Sequence, residues 1–295
     1  MNVKKTDIYQ RVTDQIVEAI EQGVGKWKLP WRTSSGFPMS PINANTRRPY
    51  SGINILVLWA TADKRGYSSG LWATYKQWSE LGAQVRRGEK AACVLFAQIV
   101  EREAGEAKPG ESGPKTRRFP FLREYHVFNV AQVDGYSEPK GTAPIAKRIE
   151  HVDSFFSSVD MLIENGMNSA FYDAVADTVY MPPFESFTDP LTYYSVLSHE
   201  SIHWTGAEHR LNRGASSKFG SSEYAFEELI AELGAAFLCS FLWLPTDPRT
   251  DHAPYINNWL SALKNDKRAI FRAAARAQEA VDWIKDTATR GLEAA

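Results

Sequence analysis

Cysteine is scarce in this chain, with only Cys93 and Cys239 among 295 residues. Both lie in apolar surroundings far apart in sequence, so a disulfide scaffold is excluded and two free thiols are expected. Long apolar runs are lacking as well. No stretch approaches the roughly 18 residues that a membrane span requires. Asp7, Gln10 and Arg11 interrupt the region where a signal peptide would carry its apolar core. A cytoplasmic protein with no membrane partner is therefore expected. Nor is there an excess of one charge, since 34 Lys+Arg stand against 35 Asp+Glu for a net charge of -1.

That neutral total hides an asymmetry. Residues 1–140 carry 21 basic against 14 acidic side chains, whereas residues 141–295 carry 13 against 21. A basic front and an acidic back point to two domains with different partners. Gly135, Ser137, Pro139, Gly141 and Pro144 cluster between Asp134 and Pro144 as linker residues. The expected division is 1–138 and 145–295, and 43% hydrophobic content suffices for a sizeable core.

What is present in the back half names a chemistry. His199-Glu200-Ser201-Ile202-His203 is an H-E-x-x-H run, and on a helix it aims both imidazoles from one face toward a single metal ion. Glu200, one residue along, stands where a general base belongs if the metal carries a water. Asp189-Pro190 reads as an N-cap followed by proline at the first helical position, and Gly206 as the stop. Tyr193, Val196, Leu197 and Ile202 supply apolar contacts around this helix, so its metal face is expected to be partly buried.

A site of this kind takes a third protein ligand. A second helix is predicted from Ser222 to Leu244, between a Ser/Gly-rich stretch and Pro245, and it offers Glu223, Glu227, Glu228 and Glu232. Glu223 lies in the first turn, where a carboxylate commonly complements the helix dipole. Glu232 lies deeper, followed by Gly234, Ala235 and Ala236, which permit close approach to the histidine helix. The expectation is Glu232 as ligand with Glu228, one turn earlier, beside it; spacing alone leaves Glu228 and Glu223 open. The metal is divalent, zinc first, with manganese, cobalt or nickel also suited to two imidazoles and a carboxylate.

The front half opens with a helix over Asp7 to Gln22, since Ile8, Val12, Ile16 and Ile20 recur at helical spacing. Cations and aromatics then interleave repeatedly: Lys26, Trp27, Lys28, Trp31 and Arg32; Arg47, Arg48, Tyr50 and Asn54; Trp72, Tyr75 and Lys76; Arg86, Arg87 and Lys90. Single-stranded nucleic acid is bound by this mixture, because bases stack on aromatic faces while Lys and Arg follow phosphates. For any one tryptophan the hydrophobic core is the better reading. No signature of a duplex reader appears. Ala91 to Val100 and Phe119 to Val133 read as strands, and the polar stretch between them as a hairpin tip.

At this point the chain resembles the ArdC-type antirestriction proteins. In front the likeness rests on Pro30-Trp31-Arg32, Tyr50-Ser51-Gly52-Ile53-Asn54, Trp72-Ala73-Thr74-Tyr75 and Val85-Arg86-Arg87-Gly88-Glu89-Lys90. Behind, it rests on His199 to Gly206, Arg210-Leu211 and Glu227-Glu228-Leu229-Ile230-Ala231-Glu232. The resemblance implies an α+β protein of two domains: an N-terminal domain that binds single-stranded DNA and a C-terminal, mainly helical, zincin-like metallopeptidase domain. It implies protection of incoming plasmid DNA from restriction during conjugation. It also favours Glu232, from the distance onward to Leu244-Pro245, and places a strand over Asp177 to Pro182 along the cleft. The helical tail, Pro254 to Arg290, is expected to pack. Two roles follow: a protector that coats single strands, or a working peptidase that its DNA domain directs to a host restriction-related protein.

Overall fold

The computed structural model describes residues 7–24, 40–103, 116–137, 145–187, 189–214, 221–244 and 253–294. Helix α1 (Ile8–Val24) buries the predicted stripe, with Val12, Ile16 and Ile20 all inside. After β1 (Ile42–Asn43) comes α2 (Ile53–Arg65), which the sequence reading did not assign. Residues Asn54 through Thr61 of α2 are all buried. A helix apolar on every side shows no amphipathic period, which is why periodicity passed over it. Gly52 starts it with φ of 56° and Gly66 ends it with φ of 68°, conformations that favour glycine.

Next follow β2 (Leu71–Thr74), α3 (Tyr75–Glu80), β3 (Gln84–Val85), β4 (Ala92–Glu103), β5 (Thr116–Asn129) and β6 (Val133–Asp134). The main sheet has the order β1-β2-β5-β4, with β4 and β5 an antiparallel hairpin registered from Ala92↔Val127 to Glu103↔Thr116. The expected strand to Val133 stops at Asn129, whose side chain accepts from Ala131 N and turns the backbone into a short 3-10 turn. Strand β4 lies at the sheet edge. Asn54 of α2 satisfies that edge like a missing strand, donating from Nδ2 to Leu95 O at 2.8 Å and accepting from Leu95 N at 2.7 Å.

The back half contains α4 (Ile145–Ser157), β7 (Leu162–Asn165), β8 (Phe171–Asp173), β9 (Thr178–Met181), α5 (Pro190–Thr205), α6 (Ser222–Phe241), α7 (Ala253–Asn265) and α8 (Ala269–Ala294). A three-stranded sheet of order β7-β9-β8 sits beside α5. The expected helical tail is two helices, because the Asp266 carboxylate accepts from Arg268 N at 2.8 Å and starts α8 afresh. The architecture is α+β, with most of its helix in the back half. Among the described residues no helix is long and apolar enough to cross a membrane.

The largest buried cluster joins the two halves. Ile16 and Ile20 of α1, with Ile55, Leu56 and Trp59 of α2, share it with Leu229, Phe237, Trp259 and Ile270 of the C-terminal helices. Polar ties follow the same seam: Thr13 Oγ1 donates to Lys267 O at 2.8 Å and Gly52 N to Gln278 Oε1 at 3.0 Å.

Candidate metal centre and nucleic-acid interface

Helix α5 begins as its sequence dictates. The Asp189 carboxylate accepts from Leu191 N and Thr192 N, Pro190 fills the first turn, and Gly206 ends the helix by donating to His203 O. Helix α6 crosses against it at Gly234, where an added Cβ would stand 2.8 Å from two atoms of Ile202. This close approach sets buried carboxylates of α6 opposite the two histidines. Glu200 is buried beside them, 4% exposed.

The atoms that converge are His199 Nε2, His203 Nε2 and the Glu228 carboxylate. The two nitrogens are 3.2 Å apart, with Glu228 oxygens at 3.6 Å and 3.5 Å from them. Tetrahedral ligands about 2.05 Å from an ion stand about 3.3 Å from one another, so this spacing fits a metal cradle. The expected third ligand was Glu232; the carboxylate that stands against both Nε2 atoms is instead Glu228. Glu232 faces the other ring nitrogen, with Oε2 at 3.5 Å from His199 Nδ1. Glu228 and Glu232 share a face of α6, but Glu232 lies one turn deeper and so reaches behind the imidazole.

His203 has a matching carboxylate. Glu227 Oε1 lies 3.7 Å from His203 Nδ1, and Arg213 grips Glu227 through Nη2 at 2.8 Å and Nε at 3.2 Å. Arg213 also donates to Thr205 Oγ1 at 2.8 Å and Ile202 O at 2.5 Å, fixing the end of α5. Burial raises the Glu228 carboxyl, but the His199 hydrogen bond and the charges of His203 and His199 outweigh it and hold the group at about 2. Tyr224 adds a hydrogen bond to the same carboxylate. Burial likewise opposes the ionised form of Glu227, and His203 and Arg213 together hold its pKa below the ordinary carboxylate value. Sequence reasoning missed the Arg213–Glu227 clamp, which a two-residue reading of the H-E-x-x-H motif does not signal.

Tyr224 is thus placed at the cluster. His209 instead lies 3.2 Å from Asp177 Oδ2. His252 and the side chain of Tyr255 fall outside the described residues. Asp177, with φ of 52°, turns the chain into β9 and pairs with Arg210, which also stacks 4.1 Å over the Trp204 ring. That pair ties the three-stranded sheet to the end of α5. Glu223 stays in the exposed first turn of α6, as a dipole partner would.

The front-half residues divide. Lys26, Trp27, Lys28, Trp31 and Arg32 lie outside the described residues. Trp72 and Asn54 are corrected from contact residues to structural ones, being 1% and 5% exposed, the first within a core cluster and the second bonded to Leu95. Tyr50 is buried as well, so its ring face offers no stacking surface, though its hydroxyl meets Asn43 Nδ2 at 3.3 Å. Arg86 is held by Asp134, Glu89 and the carbonyl of Ala131, which fixes a turn. Arg47, Arg48, Tyr75, Lys76, Arg87 and Lys90 are exposed.

An open groove of about 710 Å³ runs across one face of the main sheet, lined among others by Tyr50, Gln77, Val94, Phe96, Tyr125 and Val127. Phe96 and Tyr125 meet edge to face at 5.4 Å, and the Arg123 guanidinium lies 5.2 Å over the Tyr125 ring. Sequence reasoning named none of these three. Alternation along the hairpin was the available signal, since Val94 pairs with Tyr125 and Phe96 with Arg123 on one face.

Fold and site together define a zincin-like metal-binding domain packed behind a basic α+β domain. Residues 150–276 match the zincin-like metallopeptidase family MPTase-PolyVal, and residues 6–128 match the N-terminal domain of anti-restriction factor ArdC. The crystal structure of metal-free antirestriction ArdC protein from the R388 plasmid superposes with a TM-score of 0.80 at 38% identity, over 96% of this chain and 98% of that one. The Mn(II)-bound structure gives 0.77 at 39%, with the same coverage. The chain belongs to the ArdC family of antirestriction proteins. It is 46% identical to protein y4eC of Sinorhizobium fredii (strain NBRC 101917 / NGR234) over 95% of this chain and 92% of that one. It is also 32% identical to a DNA primase TraC of Escherichia coli, matching 95% of this chain but spanning only 27% of the primase.

Proposed function

We propose that the protein binds single-stranded DNA through its front half and shields incoming plasmid DNA from restriction in the cytoplasm, with a divalent metal held behind. The observation that carries this reading is the likeness to R388 ArdC along both halves of the chain. The exposed cations and the aromatic groove of the main sheet support the DNA-binding part.

His199, His203 and Glu228 would hold the metal, as the spacing of their ligand atoms supports. The Mn(II)-bound relative supports a divalent metal at this cluster. Bound there, a divalent ion supplies Lewis acidity and lowers the pKa of a water to about 7. Glu200, buried beside the histidines, would be the proton-accepting group, while Glu232 and Glu227 would orient the two imidazoles from behind.

The test is transfer of unmodified plasmid DNA into restricting and non-restricting hosts, with and without the protein. Higher recovery only in the restricting host is the expected result; equal recovery with and without the protein overturns the reading. Glu200→Gln is expected to protect as well as the parent, because coating a strand needs no hydrolysis. Loss of protection with metal and DNA binding intact would move the function to a peptidase acting on a host protein.

A further inference from the structure

We infer that the groove on the main sheet is a subsite for one unpaired nucleobase of single-stranded DNA, selective for bases with a ring carbonyl oxygen. The inference rests on the DNA-binding reading above and assigns it a place and a chemistry.

Stacking comes from the aromatic pair. Phe96 is 46% exposed, whereas the residues that precede it on this face of the strand, Ala92 and Val94, are buried. Such exposure is not needed by the core, which is complete beneath it at Val94 and Val127. Tyr125 stands edge-on to Phe96, and Arg123 covers the Tyr125 ring, so a flat base entering here meets an aromatic face with a cation beside it. Phosphates on either side find Arg123 at one end of the groove. Exposed Arg47 and Arg48 follow Asn43, one of the residues lining the groove, whose Oδ1 accepts from Asn45 N and Thr46 N.

Selectivity comes from the polar wall. Three donors converge on Gln77 Oε1: Thr74 N at 3.0 Å, Thr74 Oγ1 at 3.1 Å and Asn43 Nδ2 at 3.1 Å. They fix which end of the amide is oxygen. The Gln77 NH2 group, for which no acceptor stands among the described residues, therefore serves the groove. The Tyr50 hydroxyl accepts from the same Asn43 Nδ2 and keeps its own proton to donate. Two donors and an aromatic shelf suit thymine, cytosine or guanine, which carry a ring carbonyl. Adenine offers only ring nitrogens, each with one lone pair, so one nitrogen meets one donor where a carbonyl oxygen, with two lone pairs, accepts from both.

The experiment uses the full chain and fluorescently labelled dT and dA homopolymers of about 20 nucleotides, longer than one groove occupies. Fluorescence anisotropy is expected to show dT bound more tightly than dA. Phe96→Ala should weaken dT binding about tenfold through lost stacking. Gln77→Glu keeps the acceptor that caps α3 and removes the donor; its added charge weakens both strands, but the dT-to-dA affinity ratio should collapse toward one. If that variant does not fold, as judged by its thermal midpoint, Tyr50→Phe removes the second donor and should also lower the ratio. A parent that binds both strands, with the ratio unmoved by the donor variants and affinity unmoved by Phe96→Ala, overturns the subsite while leaving the DNA-binding reading standing. A parent that binds neither strand overturns both.

Discussion

At the scale of single residues, three glutamates within six positions of α6 do different work because each meets the histidines from a different side. Glu228 points between the two Nε2 atoms, Glu227 faces Nδ1 of His203, and Glu232 faces Nδ1 of His199. Glu228→Ala is therefore expected to abolish Mn(II) or Zn(II) binding measured by calorimetry. Glu232→Gln should only weaken it, by about 10–100-fold, as loss of an orienting partner does. The reverse order would restore Glu232 as ligand. That the two histidines meet on one helix face was legible because it follows from a five-residue spacing. Which carboxylate stands opposite their Nε2 atoms was not, since Glu228 and Glu232 share a helix face and only the depth of helix packing separates them. Asp177 offers a pH test away from the metal. Its Arg210 hydrogen bond, opposed by burial and helped by Tyr172, holds the carboxyl at about 2, below the ordinary 3.8. A depressed pKa stabilises the fold above pH 3.8, and the contribution fades as pH falls toward 2. Asp177→Asn should therefore lower the denaturation midpoint relative to the parent at pH 6, and that gap should shrink as both are titrated from pH 4 to pH 2.5. A gap independent of pH would assign the loss to packing.

At the scale of elements, the close contact between α5 and α6 couples stability to the metal centre. Gly234 is where the Ile202 side chain of α5 seats against α6, and Ile202 lies between the two metal histidines in sequence. Gly234→Val is expected to cost about 1–3 kcal/mol of stability by overpacking. It should weaken metal affinity too, because any outward shift of α6 carries Glu228 with it. Unfolding in denaturant with and without metal measures both, and unchanged metal affinity would show that the helices absorb the side chain without separating. The run of small residues in α6 was readable in advance, as were α5 and its caps. Helix α2 was not, for its apolar residues cover every side and mimic a buried strand, while Gly52 and the preceding Tyr50-Ser51 imitate a turn. The groove escaped for another reason. It is assembled from β2, α3, β4 and β5, and only strand register shows that Phe96, Tyr125 and Gln77 border one space.

At the scale of the whole molecule, charge divides the chain but packing does not. The front half is basic and the back half acidic, yet Ile16, Ile20, Ile55 and Trp59 are buried in one cluster with Trp259, Ile270 and Ala277. Each large apolar side chain buried in this way contributes about 1.5–3 kcal/mol, so the four front-half residues together outweigh the exposed ion pairs along the seam, such as Lys267–Asp7 and Lys264–Glu21. A shared core makes the two halves unfold together. Metal bound at α5 and α6 should then stabilise α1 and α2, though neither helix supplies a ligand. At 100 times the dissociation constant the gain is about 2.7 kcal/mol, and in a single cooperative unit all globally exchanging amides inherit it. Hydrogen exchange read by mass spectrometry is the measurement, with peptides from α2 and from α6 followed with and without Mn(II). Equal slowing in both is the expected result. Slowing confined to α6 would mean that α2 opens independently, and that the charge boundary near residue 140 is a boundary in stability as well.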